Sequence, residues 1–305
     1  MLSFAIKASG ATVLLGLLTA LPAAATPFSF NTGAVTTLMA SASRPDTASA
    51  GQPSNEIESA DDFVLTQNTR LTSATFTGLL PTGASLNDVV DVRIEIYRVF
   101  PNLSDVGRTT GPPTFSTDRV PTRVNSPSDV ELDDRSAADH NLTFAPGLLN
   151  PSFTAANSVL NGIHPKPNQT TGGDGPVTGQ EVQFNVVFTT PFSLPADHYF
   201  FVPQVQLSSG DFFWLSAPRP IVPPGTPFPP GSTDLQAWIR NEDLAPDWLR
   251  VGTDIVGGTT PPTFNATFSL DGQIVPEPCG LVLLGTGAAG LLGYCMARRR
   301  ARTRA

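Results

Sequence analysis

The chain has 305 residues, with 18 basic and 26 acidic side chains giving a formal net charge of −8, and it contains 30 prolines and 26 glycines. Six of the basic residues (Lys7, Arg298, Arg299, Arg300, Arg302 and Arg304) belong to the two end segments, so the middle of the chain, counting Glu277, keeps 12 against 26 acidic, a net of −14. That balance excludes a phosphate-neutralising nucleic-acid surface. Placing both cysteines, Cys279 and Cys295, near the C-terminus likewise excludes disulfide scaffolds and thiolate zinc sites from the body.

The N-terminus carries Lys7, an apolar run from Ala11 to Leu21, and then Pro22-Ala23-Ala24-Ala25. A basic start, a short apolar centre and a small-x-small site predict a secretory signal peptide over residues 1–25. Its small residues Ala23 and Ala25 would guide signal peptidase. Residues 26–59 are rich in Ser, Ala and Thr and are expected to form a loosely ordered arm or an edge strand.

From 60 to 272 the dominant signal is alternation with a period of two. Val90, Val92, Ile94 and Ile96 alternate with Asp91, Arg93, Glu95 and Tyr97. Val182, Phe184, Val186 and Phe188 form another apolar row, and Phe264, Ala266, Phe268 and Leu270 a third. Residues 69–78 and 199–207 read as strands too, and 212–215 as a more buried one. One apolar and one polar face per strand predicts antiparallel sheets over a single core. The expected fold class is all-β: an antiparallel, jelly-roll-like β-sandwich with long Pro/Gly-rich loops. A single helix is expected over 150–161, where Pro151 opens it, Phe153, Ala156 and Leu160 share a face, and Asn161-Gly162 stops it. Irregular stretches are expected at 101–135, 161–180 and 218–231. The last holds seven prolines, which cannot occupy a central strand.

The C-terminus reads Val275-Pro276-Glu277-Pro278-Cys279, then an uncharged run from Leu281 to Ala297, then Arg298, Arg299 and Arg300. Seventeen apolar and small residues are the lower limit for crossing a hydrocarbon core of about 30 Å. The arginines would stop that helix on the cytoplasmic side and leave the body outside. In this order, the Pro-Glu-Pro motif (residues 273–280 with its linker), the short Gly-rich helix (281–297) and the basic tail (298–305) resemble the PEP-CTERM sorting signal. The resemblance implies recognition of Pro276, Glu277 and Pro278 by exosortase, a membrane protease-transpeptidase of Gram-negative bacteria that have extracellular matrices. It also implies a membrane-anchored precursor that is cut and delivered to the cell surface or matrix. Cys279 departs from the Ser, Ala or Thr usual at that position and leaves the point of cleavage open. More loosely, Ala60-Asp61-Asp62-Phe63 and the Val-Arg-Ile-Glu-Ile-Tyr strand resemble β-sandwich ectodomains of other PEP-CTERM proteins, a likeness that carries no activity.

No nucleophile elbow, zinc-protease motif, P-loop or EF-hand loop occurs. His140, His164 and His198 have no local partner and are expected at surfaces or strand edges. Carboxylates gather around Asp61 and Asp62 and again around Asp133 and Asp134, which makes both places candidates for a calcium ion held by loop oxygens. The triplets Trp238-Ile239-Arg240 and Trp248-Leu249-Arg250 place aromatic rings beside guanidinium groups, as a site stacking on exopolysaccharide would. The expectation is a non-enzymatic structural or interaction module. The alternative is a carbohydrate-binding module or a polysaccharide-acting enzyme, with Trp238 and Trp248 exposed in a groove.

Overall fold

A computed structural model describes residues 26–46, 55–104, 120–163 and 169–276, together with 287, 290–292 and 294. Among the described residues no helix is long and apolar enough to cross a membrane. Ala23, Ala25, Glu277, Pro278, Arg298, Arg299, Arg300 and His164 lie outside them, as does most of the expected 281–297 span.

Residues Thr26–Val275 form one compact unit, and it is built from strands. In chain order these are β1 (Thr26–Asn31), β2 (Ala40–Ala42), β3 (Ile57–Leu65), β4 (Thr69–Pro81), β5 (Val89–Arg98), β6 (Asp133–Ser136), β7 (Leu142–Ala155) and β8 (Ser158–Val159). Then follow β9 (Val177–Leu194), β10 (Asp197–Leu207), β11 (Phe213–Ala217), β12 (Trp238–Asn241), β13 (Leu249–Arg250), β14 (Asn265–Ala266) and β15 (Phe268–Ile274). Six of them make a sheet in the order β13-β12-β3-β10-β5-β6. The other nine make a larger sheet centred on β4, which pairs β15 and β11 along one edge and β9 along the other. Strand β7 lies outside β9, and β1 outside β15.

The principal core lies between the two sheets. Phe76, Phe184, Phe268 and Leu270 come from the larger sheet, and Phe63, Ile94, Ile96 and Phe201 from the smaller. Ring contacts knit them together: Phe76 stacks on Phe184 at 4.8 Å, and Phe201 on Phe268 at 4.8 Å across the sheets. Apart from exposed Val90 and from Phe264, which packs in a separate cluster, the alternating rows read from sequence are these inward faces. The architecture is all-β and sandwich-like, with antiparallel pairing throughout except for the short parallel contact of β2 with β8.

Three local expectations are corrected. Residues 150–155 belong to β7 rather than to a helix, because the long β9 supplies a ladder for them: Asn150 pairs Glu181, and Phe153 pairs Gly179. Register shifts on both sides of Asn150 accommodate Pro151, which has no amide to donate. Residues 26–46 are no loose arm: β1 is an edge strand, but Met39, Ala40, Ala42 and Ser43 are buried and β2 sits between β11 and β8. Finally, the face of β5 expected to meet water is covered, since Glu95 and Tyr97 are buried while Val90 is exposed.

One close approach depends on a missing side chain. A Cβ on Gly78 in β4 would stand 2.2 Å from the Phe212 ring and 2.5 Å from the Phe213 carbonyl oxygen. Gly78→Ala is therefore expected to lower the unfolding free energy by about 1–3 kcal/mol. Urea unfolding of the two proteins measures it, and an unchanged midpoint would mean that β4 and β11 separate freely.

Candidate functional site

The residues nominated from sequence are found in three different settings. The first lies behind the smaller sheet. Strands β12 and β13 form a hairpin in which Trp238 pairs Arg250 and Ile239 pairs Leu249. The two Trp-x-Arg triplets thereby exchange partners: Arg240 lies 4.4 Å over the Trp248 ring and Arg250 lies 5.9 Å over Trp238. Both indoles are buried, at 2% and 1% exposure, so neither offers a face to a sugar. The expected stacking site is corrected on that ground: the rings pack with Tyr97, Phe200 and Leu235 over the outer side of the smaller sheet.

Under those rings is a buried ionic cluster. Arg240 holds Glu58 through both carboxylate oxygens, with Nη2 donating to Oε1 at 2.9 Å. The Tyr97 hydroxyl donates to Glu58 Oε1 at 2.8 Å, accepts from Arg240 Nη2 at 2.8 Å and lies 3.0 Å from Glu95 Oε2. Burial, and then the adjacent Glu58 charge, push Glu95 well above the ordinary carboxylate range. Arg93 Nη1 lies 3.6 Å from Glu95 Oε1 and adds a second cation beside the cluster. The two glutamates touch through Tyr97 and do not flank an opening, whereas glycoside hydrolysis needs a sugar-wide gap between its carboxyl groups.

The second setting joins Asp61 and Asp62 of β3 to distant segments. Asp61 Oδ2 accepts from the Ala266 amide at 2.9 Å. Asp62 accepts from the Leu235 amide at 3.2 Å and pairs with His198 Nε2 at 2.6 Å. Both aspartates are buried, and consecutive strand positions send them to opposite faces. Burial raises both: Asp62 to about 6, against the pull of His198, and Asp61 well above its ordinary value with help from the Asp62 charge. The third setting is the loop and strand around Asp133 and Asp134. These pair separately with Arg135 and Arg93, Asp129 pairs with buried Arg123, and Asp139 accepts from the Ser136 hydroxyl at 2.7 Å. Neither carboxylate group converges on a shared point, and among the described residues no three His, Cys, Asp or Glu side chains form a metal-holding group.

A groove that no sequence motif marked lies on the outer face of the larger sheet. It has a volume of about 220 Å³, a floor of Thr75, Thr77, Gln183, Thr267 and Ser269, and flanks at Asn31, Val35 and Leu149. The floor follows from register: Asn31 pairs Ser269, Ser269 pairs Thr75, and Thr77 pairs Gln183. The available signal was only the Thr, Ser and Gln positions that alternate with the apolar rows, a pattern shared by any solvated sheet face. The scan of protein-family models, the search of curated proteins and the search of solved structures each find no match to the chain.

Two predictions concern the buried charges. Arg240→Met alone strands a buried carboxylate and is expected to cost roughly 3–5 kcal/mol, whereas the double variant Glu58→Leu/Arg240→Met should recover most of that. Denaturant titrations of the single and double variants decide it, and equal losses in both would show that packing of Arg240, not its charge, matters. The raised Asp62 also makes stability depend on pH. Because its folded value lies above the ordinary 3.8, the contribution is complete below 3.8 and is lost as pH rises through about 6. Asp61 and Asp234, both raised, act in the same direction, and His198 Nε2 faces the group at 2.6 Å from Asp62 Oδ2. The urea midpoint should fall from pH 4 to pH 7, and Asp62→Asn should flatten that slope. An equally steep slope in the variant would assign it elsewhere.

Proposed function

We propose that the chain is an exported surface or matrix protein. It is freed from a signal peptide at Ala25 and sorted at Pro276-Glu277-Pro278 by a PEP-CTERM type of processing. Its body is a jelly-roll-like sandwich that binds or supports and performs no reaction. The observation that carries this reading is the pairing of the two ends of the body. Thr26, the first residue after the signal-peptide site, pairs with Ile274, two residues before Pro276. The compact unit, Thr26–Val275, thus coincides with the segment that both cuts would release, and neither cut removes a strand residue. A membrane precursor anchored through residues 281–297 with Arg298, Arg299 and Arg300 inside completes the proposal. Signal peptidase and exosortase are its processing partners.

Intact mass spectrometry of the protein from a producing, exosortase-containing cell tests the reading. The wild type should begin at Thr26 and end near Pro278, and Glu277→Ala should keep the C-terminal segment. Identical masses for the two proteins would remove sorting at this motif.

A further inference from the structure

The groove on the larger sheet differs in kind from the rest of a body, Thr26–Val275, whose 12 basic and 25 acidic side chains give a net charge of −13. None of its lining residues is ionisable. Its floor is made of short hydroxyl and amide side chains, and its flanks Val35 and Leu149 are aliphatic. We infer that this groove is a binding site for a neutral polysaccharide chain, an inference that rests on reading the body as a non-enzymatic module of a surface or matrix.

The lining selects by chemistry. A charged ligand would shed water without meeting a counter-charge, and a purely apolar one would leave the remaining Thr75–Ser269 proton and the Asn31 NH2 group without partners. A polyhydroxyl chain exchanges its hydrogen bonds with water for hydrogen bonds with the floor and lays its C–H faces on Val35 and Leu149. Donors and acceptors are both on offer. The Thr75 and Ser269 hydroxyls are hydrogen-bonded to each other at 2.7 Å, which occupies one of their two protons and leaves the other for a ligand. Asn31 Oδ1 accepts from the Gly33 amide at 2.6 Å, which orients the Asn31 NH2 group as a donor.

The walls are held before any ligand arrives, which lowers the ordering cost of binding. Gly33 adopts φ +107°, a conformation open to glycine, so the chain turns back over the sheet at that point. Thr32 next to it is pinned to β15, its hydroxyl accepting from the Phe268 amide at 2.9 Å. Opposite, Leu149 is the extra residue of a β-bulge, between the pairs Leu148–Val182 and Asn150–Glu181. A bulge re-aims a side chain, and this one leaves Leu149 55% exposed on the groove flank. The groove also stands clear of Thr26 and Ile274, the pair at the far end of the β1–β15 ladder. Asn31–Ser269 is five residues along β1 from the Thr26–Ile274 pair, roughly 17 Å at strand spacing.

The test uses the full chain in a detergent without a sugar headgroup. Affinity electrophoresis is run through gels holding dextran, mannan or a soluble β-1,4-glucan, with polygalacturonate as the charged comparison. At least one neutral polymer should retard the wild type, and polygalacturonate should not. Gln183→Ala should weaken the retardation about tenfold, the equivalent of about 1.4 kcal/mol, and Leu149→Arg should abolish it. Both side chains face outward, so unchanged urea midpoints would separate loss of binding from loss of fold. The inference is overturned if no neutral polymer retards the protein, if polygalacturonate retards it equally, or if both variants migrate as the wild type. Binding is read on purified protein, so it stands or falls apart from the mass measurement on Glu277→Ala.

Discussion

Strand β3 is buried on both faces yet carries Glu58, Ser59, Asp61 and Asp62 in succession around Ala60. Buried polar groups cost free energy unless they find partners, and here the principal partners come from remote segments. Glu58 takes Arg240 and Tyr97, Ser59 donates to the Ala42 carbonyl oxygen, Asp61 takes the Ala266 amide, and Asp62 takes His198 and the Leu235 amide. Satisfying one strand therefore fixes β2, β10, β12, β14 and the end of the proline-rich loop together. The pairing demands of these four side chains hold Leu235, Arg240 and Ala266 against β3.

The tryptophans follow from that constraint. With Arg240 drawn inward to Glu58, its triplet cannot present an exposed aromatic platform, and Trp248 closes over the guanidinium. The Trp248 indole donates to the Ser128 carbonyl oxygen at 3.2 Å, joining the loop before β6 to the same cover. A sheet that would otherwise be solvated on one side thus gains a second layer made of loops. Its cluster of Tyr97, Phe200, Trp238 and Trp248 is separate from the core between the sheets.

The larger sheet is treated differently. On its outer face over β15, β4 and β9, Thr75, Gln183 and Ser269 are partly exposed short neutral side chains. The contrast assigns different work to the two sheets. The smaller uses its polar residues for internal connections, and the larger keeps Thr75, Gln183 and Ser269 partly open to solvent. Its long outer strand β7 carries Pro146 and Pro151, which lack donors and discourage pairing with another chain.

Local pattern alone determined the inward rows. Val92, Ile94 and Ile96, then Val182 to Phe188, then Ala266 to Leu270, alternate because a pleated strand between core and polar surroundings must. The end segments were legible for a related reason, since hydropathy and charge along a single stretch need no partner to be read. The partners of β3, the helix that became part of β7, and the groove floor belonged to the tertiary structure. Asp62 and His198 are 136 residues apart, and no local rule links them. Residues 150–155 have weak preference for any state and take the hydrogen bonds that β9 offers. Thr75, Gln183 and Ser269 become one surface only when register sets their strands side by side, because period two says which face a side chain is on but never which neighbour stands beside it.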